Sequence, residues 1–532
     1  MGTGHSVDTP VRVAHLGISS VISLVDDLLL ERIRKFYSDK FNLPYSRISA
    51  NEKDGRAKRI TAYFETVKSI VNIKINSLKE QPFFENNDKK RYFELLPDES
   101  PLKACYKKLF TMKPGDERKA LENELTQEIV PGSIDANIMV KLDRKNFNAE
   151  GEPLPEEFSD AKAALRGFAK SSLDSSMVFS AGLNKGLFKY ITRFPDFYRD
   201  KKGEIKKKII LKVSDFRSAL VQGRFLARMG IEVYEYRIES GLNCGGHAFS
   251  SNGRLLPFIL QEFKVKKSEL FDELQPVIKK YYKKTGGKYP DSALINPPLV
   301  TVQGGIGING EMLRLTDYFG IDLTGWATPF LLVPEATCVD NETRRLLGSS
   351  DAKDLYLSNV SPLGIFFNNI HGTGSEIQTN KMIKAGKPGS LCTMGFLKSN
   401  TEFSEKPVCT ASNEYQQRKI KEINSLSISE EEKENFRRKI TEKTCICSHL
   451  GNGALINLGI VKKKNSPQSI CPGPNIAWFN RDYSLEEMVD HIYGRRPSLV
   501  SEKRPHMFAK EIELYMELFE KELAQLIDIA LV

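Results

Sequence analysis

Gly304-Gly305-Ile306-Gly307 closes a β-branched run that begins at Pro298, and Gly325-Trp326-Ala327-Thr328 closes the next run, Ile321–Thr324. Glycine lets a ligand approach the main chain closely. Two such strand ends in succession offer backbone N–H groups, Thr328 adds a hydroxyl, and a helix beginning near Asn309 would turn its positive end to the same place. This is the donor set of a phosphate cradle, which in parallel barrels lies on the late strands. A tight turn without a ligand accounts for Gly304–Gly307 taken alone; the second strand end, with Ala327 and Thr328, favours the cradle. A third apolar run, Ile231–Ile238, leads into Gly241-Leu-Asn-Cys-Gly-Gly-His247. A histidine directly after Gly245 and Gly246 at a strand end is aimed at a mouth, not a core. Its ordinary pKa of about 6.5 lets it exchange a proton at neutral pH, so His247 is the candidate general acid/base. The competing role is a loop histidine capping the next segment. Cys244, just upstream, is a candidate reactive thiol.

The elements that must position these loops alternate along the chain. Ile209–Val213 reads as a buried strand. An amphipathic helix, Phe216–Met229, follows and ends at Gly230, and Ile231–Ile238 completes a βαβ unit. Strands are expected also at Ile134–Lys141, Ser175–Gly182 and, more weakly, Val11–Leu16, which ends at Gly17. Strand–helix alternation over this length argues for a parallel α/β sheet. The first strand lacks a dinucleotide-binding fingerprint, which favours a TIM (β/α)8 barrel over a doubly wound sheet. Residues 51–129 are charged and helical in pattern and read as an insertion near the N-terminus. The barrel is expected to span 1–345 and a cysteine-containing extension of loops and helices 346–532, packed on the barrel mouth.

Two polar residues sit in otherwise apolar strands. Asn137 can bond the edge of a flavin ring, and Lys212 can stabilise negative charge on a reduced ring. A lysine that merely snorkels to water is the alternative for Lys212. Among eight cysteines, Cys392, Cys409, Cys445, Cys447 and Cys471 crowd into the last third. They are candidate thiolate ligands for an iron–sulfur cluster or zinc, against the alternative of buried free thiols.

Bulk properties exclude several classes. The chain has 532 residues and a formal net charge of +10, with 40% hydrophobic and 9% aromatic residues. The positive excess comes from local lysine patches, which read as solvated faces or as attraction for an acidic partner such as a carrier protein. No nucleic-acid-binding motif, secretory signal or membrane-length apolar run is present, so a soluble cytoplasmic protein is expected. Met1-Gly2 with Ser6 matches the short myristoylation pattern, but without a second membrane signal.

Taken in order, these pieces resemble the nitronate monooxygenase (2-nitropropane dioxygenase-like) family, which includes flavin-type enoyl-acyl-carrier-protein reductases. The resemblance covers roughly residues 130–340, and Val11–Ser20 weakly. Gly245-Gly246-His247 matches the family's Gly-Gly-His, Gly304-Gly305-Ile306 its phosphate-binding Gly-Gly-Ile, and Asn137 its third-strand asparagine. Gly320-Ile-Asp-Leu-Thr-Gly-Trp-Ala-Thr-Pro-Phe330 with Pro334-Glu335 follows its last strand. Ala327 replaces a family glycine, Pro329 an arginine, and His15-Leu16-Gly17 the family's Gly-Pro-Met. The resemblance implies an FMN-binding TIM barrel. FMN would contact Gly17, Asn137, Lys212, Gly245, Gly246, Gly304, Gly305, Ala327 and Thr328, with His247 beside the flavin. It implies oxidation of an alkyl nitronate or, alternatively, reduction of an enoyl thioester. From another class, a non-catalytic scaffold on a flavin-barrel fold accommodates the same pattern, as does a metal-centred binding module in the tail.

Overall fold

The computed structural model describes residues 4–139, 143–148, 150, 152–180, 182–245, 254–291 and 294–530, with side chains as far as 523. One parallel sheet holds seven strands in chain order: β1 Ser20–Ser23, β2 Ile134–Ile138, β3 Ser175–Phe179, β4 Lys207–Val213, β5 Val233–Glu239, β6 Leu299–Gln303 and β7 Leu323–Gly325. Sequential parallel order, with helices in the crossovers, is the order of a barrel wall. Among the described residues no ladder joins β7 to β1 and this sheet has no eighth strand, so the eight-stranded closure expected from the sequence is not reached. Beyond the sheet, β8 Leu355–Ser358 and β9 Phe367–Ile370 form an antiparallel pair.

The expected strand Val11–Leu16 is the clearest correction. It is a helix, Thr9–Val13, followed by a 3-10 turn, Ala14–Leu16. Pro10 stands in the first turn, where its missing N–H leaves no bond unmade. Arg12 reaches back one turn to the Asp8 carboxylate at 2.9 Å. These two local effects outweigh the strand preference of Val11 and Val13. Gly17, at φ 78°, ends the turn, and the first strand starts after it.

The sheet's two faces differ in chemistry. Ala136, Ile138, Met177, Phe179, Leu211, Tyr236, Ile238, Val300 and Val302 alternate onto one face and are buried. Helices Asp160–Ala169, Phe216–Ala227 and Leu256–Thr285 contribute apolar residues to the same core. The other face carries Asp135, Asn137, Lys212, Glu235, Arg237, Glu239, Thr301 and Gln303, placed there by the period of two and by the strand register.

The stretch read as a helical insertion contains helices Gly55–Glu80, Asp88–Leu95, Pro101–Leu109 and Asp116–Gln127. One apolar cluster runs from Val7 through Ile60, Phe64 and Leu125 to Leu455, Met488 and Leu514, so these helices and the C-terminal part share the core of the sheet. No described helix is long and apolar enough to cross a membrane. The helix Gly55–Glu80 lies so close to Asp160–Ala169 that a Cβ on Gly167 would meet Ala57 O at 2.7 Å and Ile60 Cβ at 2.9 Å. Gly167→Ala must therefore push a backbone aside. The expected loss is about 1–3 kcal/mol, read as a lower urea midpoint at unchanged slope.

Candidate functional site

The carboxyl ends of β5, β6 and β7 converge on the glycine loops. Gly304 and Gly305 have φ of 92° and 82°. A Cβ on Gly304 would lie 2.4 Å from Asn243 Oδ1, and one on Gly305 2.8 Å from Leu242 Cδ1. The paired glycines are thus required first by the touching of two loops of the chain itself. The N–H groups of Gly304, Gly305, Ile306, Ala327 and Thr328 nevertheless donate to no described residue. Buried Thr328 adds a hydroxyl that contacts the Cys244 sulfur.

The C-terminal part fixes the other side of this loop. Gly305 O accepts from Asn475 Nδ2 at 2.7 Å and Arg504 Nη2 at 2.8 Å, and Ile306 O from Asn475 Nδ2 at 3.0 Å. In a trans peptide the N–H opposite Gly305 O is that of Ile306, which is thereby turned away from the tail. Arg504 is itself held by Glu311 at 2.7 Å, and both side chains are almost wholly buried. Glu311 also accepts the Gly307 N–H at 2.8 Å. The expected helix at Asn309 is present, its α turn Asn309–Leu313 running on as a π turn over Arg314–Tyr318. With the Glu311 carboxylate beside it, this short helix does not supply the positive end foreseen from the sequence. His491 Nε2 meets Gly307 O at 2.9 Å.

The polar face of the sheet carries ion pairs. Lys212 Nζ lies 2.7 Å from Glu239 Oε1, and Gln303 donates to the same oxygen. Arg237 Nε donates to Glu235 Oε1 at 2.7 Å, and the Thr301 hydroxyl donates to it as well. Burial alone would raise the Glu239 pKa, but Lys212, Gln303 and Arg237 outweigh it and hold the carboxyl below the usual range. Lys212 is therefore a compensated cation. Asn137 Oδ1 is buried and has no hydrogen-bond partner among the described residues.

Gly245 N donates to Cys471 O at 3.0 Å. Gly246 and His247 lie outside the described residues. The ends of their loop are held by one side chain: Glu511 accepts Gly241 N at 3.2 Å and Leu256 N at 2.8 Å. Burial raises the Glu511 pKa against these bonds. Asp26, just past the end of β1, is pushed up to about 7 by burial, although its carboxylate accepts Leu29 N–H. Gly17 is not gathered with the others. It precedes the amino end of β1 and packs under Tyr92, whose ring carbon a Cβ would meet at 3.0 Å. Cys244 does not fit a reactive thiol, because burial and then the adjacent Cys471 push its pKa up.

Four of the five tail cysteines, Cys392, Cys409, Cys445 and Cys447, line one small cavity, and Cys471 is outside it. No group of three or more His, Cys, Asp or Glu among the described residues is arranged to hold a metal ion. The clustering is real, but the side chains do not take the ligand geometry expected of a cluster or zinc site.

Asn475, Arg504, His491, Glu311 and Glu511 were not foreseen. The rigid Cys471-Pro-Gly-Pro-Asn475 turn was the available sequence signal, since such a turn presents the following side chain in a fixed direction. Arg504 and Glu511 carry no local signal, because their partners lie far away in the chain.

No protein-family model and no curated protein matches the sequence. A solved structure found to be similar is the enoyl reductase domain of MlnA from the macrolactin biosynthesis cluster of Bacillus amyloliquefaciens. The identity is 15% over 80% of this chain and 88% of that one, with a TM-score of 0.37. A TM-score this low does not establish a shared fold.

The Lys212–Glu239 pair gives a direct test of the polar face. Lys212→Met removes the charge facing a buried carboxylate and should cost about 3 kcal/mol at neutral pH. Adding Glu239→Gln should recover most of that loss. Glu239 is depressed in the folded state, so its contribution is present above its unfolded pKa and is lost as pH falls through the folded value. The Lys212→Met penalty should accordingly shrink on acidification, as Glu239 takes up a proton. Urea midpoints of the three variants across acidic pH measure this.

Proposed function

We propose that this chain is an FMN-dependent oxidoreductase on a TIM-barrel scaffold, similar to nitronate monooxygenases. The observation that carries the reading is the set of N–H groups on Gly304, Gly305, Ala327 and Thr328, at the ends of neighbouring strands, that donate to no described residue. Gly305 and Thr328 are buried, where polar groups are normally satisfied, and adjacent donors at strand ends suit a phosphate. The orphaned Asn137 Oδ1, on the face that also bears Lys212, suits a ring N–H. When bound, FMN would supply electron-transfer chemistry at its ring.

In this reading Thr328 binds and orients the phosphate by its hydroxyl and N–H. Asn475 and Arg504 act behind the loop, holding the Gly305 carbonyl so that the Ile306 N–H on the other side of that peptide faces the ligand. Asn137 orients the ring. Lys212, whose charge Glu239 offsets, would lie beside the ring and donate to it without adding net charge to the face. His247 assists deprotonation to the nitronate or binds it, and Glu511 fixes the span of its loop. The substrate is an alkyl nitronate. An enoyl thioester, free or on an acidic carrier protein, is the runner-up, and turnover with a nicotinamide donor distinguishes it.

The purified protein should show flavin absorption bands and release FMN on denaturation. Thr328→Val should weaken FMN affinity about tenfold or more, the value of a hydrogen bond to a charged group, as read by fluorescence titration. His247→Ala should keep the flavin and lose turnover about a hundredfold or more. A colourless protein that cannot be reconstituted with FMN would sink the reading and put the non-catalytic scaffold in front.

A further inference from the structure

The segment 390–412 forms a loop closed at two levels. Ser390 N donates to Ala411 O at 2.9 Å and Asn413 N to Ser390 O at 3.1 Å. Farther out, Asn400 and Val408 exchange N–H···O bonds at 3.1 and 2.8 Å. Gly389 permits the first closure: at φ 87°, a Cβ there would lie 2.6 Å from the Asn413 backbone. Cys392 and Cys409 stand between the two closures, with their thiol groups in hydrogen-bonding contact. Both line the small cavity shared with Cys445 and Cys447. The main chain is arranged around the sulfurs as well. Gly395 N–H points to the Cys392 sulfur, Ala411 N–H to that of Cys409, and Leu397 N–H to that of Cys447.

Cationic side chains stand on the Cys392 side. Arg144 donates to Met394 O at 3.4 Å and Gly395 O at 3.1 Å, so it holds the turn that carries the Gly395 N–H, and Lys398 is near the same sulfur. Cys392 is half-buried and Cys409 buried. Cys445 instead meets the Ser448 hydroxyl at 3.5 Å. With the Cys409 hydrogen bond as the main cause, the Cys392 pKa falls to about 6, while Cys409 is raised by the same bond and by burial. The contact thus favours ionisation of one sulfur of the pair and disfavours that of the other.

We propose that Cys392 and Cys409 are a dithiol that a peroxide oxidises to a disulfide. The Cys392 thiolate attacks one oxygen of hydrogen peroxide. The O–O bond breaks, an S–O bond forms, and the leaving hydroxide takes a proton to become water. Cys409 then attacks the sulfenic sulfur. The S–S bond forms, the S–O bond breaks, and the departing hydroxide carries off the Cys409 proton as a second water. Two thiols lose two electrons and the peroxide gains them. The product ties the two strands of the closed loop covalently. Neither FMN nor the barrel reading enters this step.

The full chain is treated with one equivalent of hydrogen peroxide, its remaining thiols are blocked, and it is digested without reductant for mass spectrometry. The principal cross-link should join Cys392 to Cys409. In the untreated chain, iodoacetamide should label Cys392 about tenfold faster than the exposed Cys105. In Cys409→Ser, a 1,3-dicarbonyl probe should trap a sulfenic acid on Cys392; should that variant not fold, the wild-type measurements decide alone. Labelling of Cys392 no faster than Cys105 overturns the proposal, as does a principal cross-link to Cys447. Stoichiometric zinc or iron that leaves only when these thiols are modified also overturns it, by making them metal ligands.

Discussion

The constraint on which the sheet depends is charge compensation on its polar face. A parallel sheet is covered on both sides, and in most such folds the strands are apolar throughout. Here β4, β5 and β6 place Lys212, Glu235, Arg237 and Glu239 side by side, with Gln303 and Thr301 filling the remaining hydrogen-bond positions. Such groups are tolerable out of water only as a completed set. The register that pairs Lys212 with Arg237 and sets Glu239 beside Gln303 is therefore as much a requirement of electrostatics as of backbone bonding. One side chain on that face, Asn137, has an acceptor that no described residue meets, and it is the one that the proposed cofactor would use.

The strand ends depend in turn on residues from far along the chain. Asn475 and Arg504 hold the carbonyl side of the Gly304–Gly307 loop, and Glu311 binds both Arg504 and the loop's own N–H. Glu511 holds both ends of the loop that contains His247. The arrangement separates two tasks. The glycines give closeness and donors that no described residue uses, and the distant side chains give rigidity, which a loop of glycines lacks by itself. The same division recurs at the thiol pair, where Gly389 and Gly395 permit the turns and Arg144 holds one of them in place.

Most elements are readable from periodicity because local patterns produce them. The βαβ unit from β4 to β5 is legible in its apolar runs and in Gly230. The amphipathic helices of 51–129 are legible in their spacing. Val11–Leu16 failed because Pro10 and the Asp8–Arg12 bond decide a short segment that periodicity leaves ambiguous. Gly17 failed with it: once that segment is a turn before β1, Gly17 lies at the amino end of the sheet, away from the other glycines.

By itself, the sequence determined the alternation of strands and helices, the placing of glycines at strand ends, and the crowding of cysteines into the last third, since each depends on residue type and local order. Only the tertiary structure decided which of these groups meet. It paired Lys212 with Glu239, and it set the Glu311 carboxylate in the first turn of the helix that begins at Asn309. It turned five clustered cysteines into a cavity of four with one hydrogen-bonded pair. It also brought Arg504 and Glu511 to loops hundreds of residues away. The physical reason is range. Backbone preference and hydrophobic period act over a few residues, whereas ion pairing and orphaned donors are settled by neighbours that only the packed chain supplies.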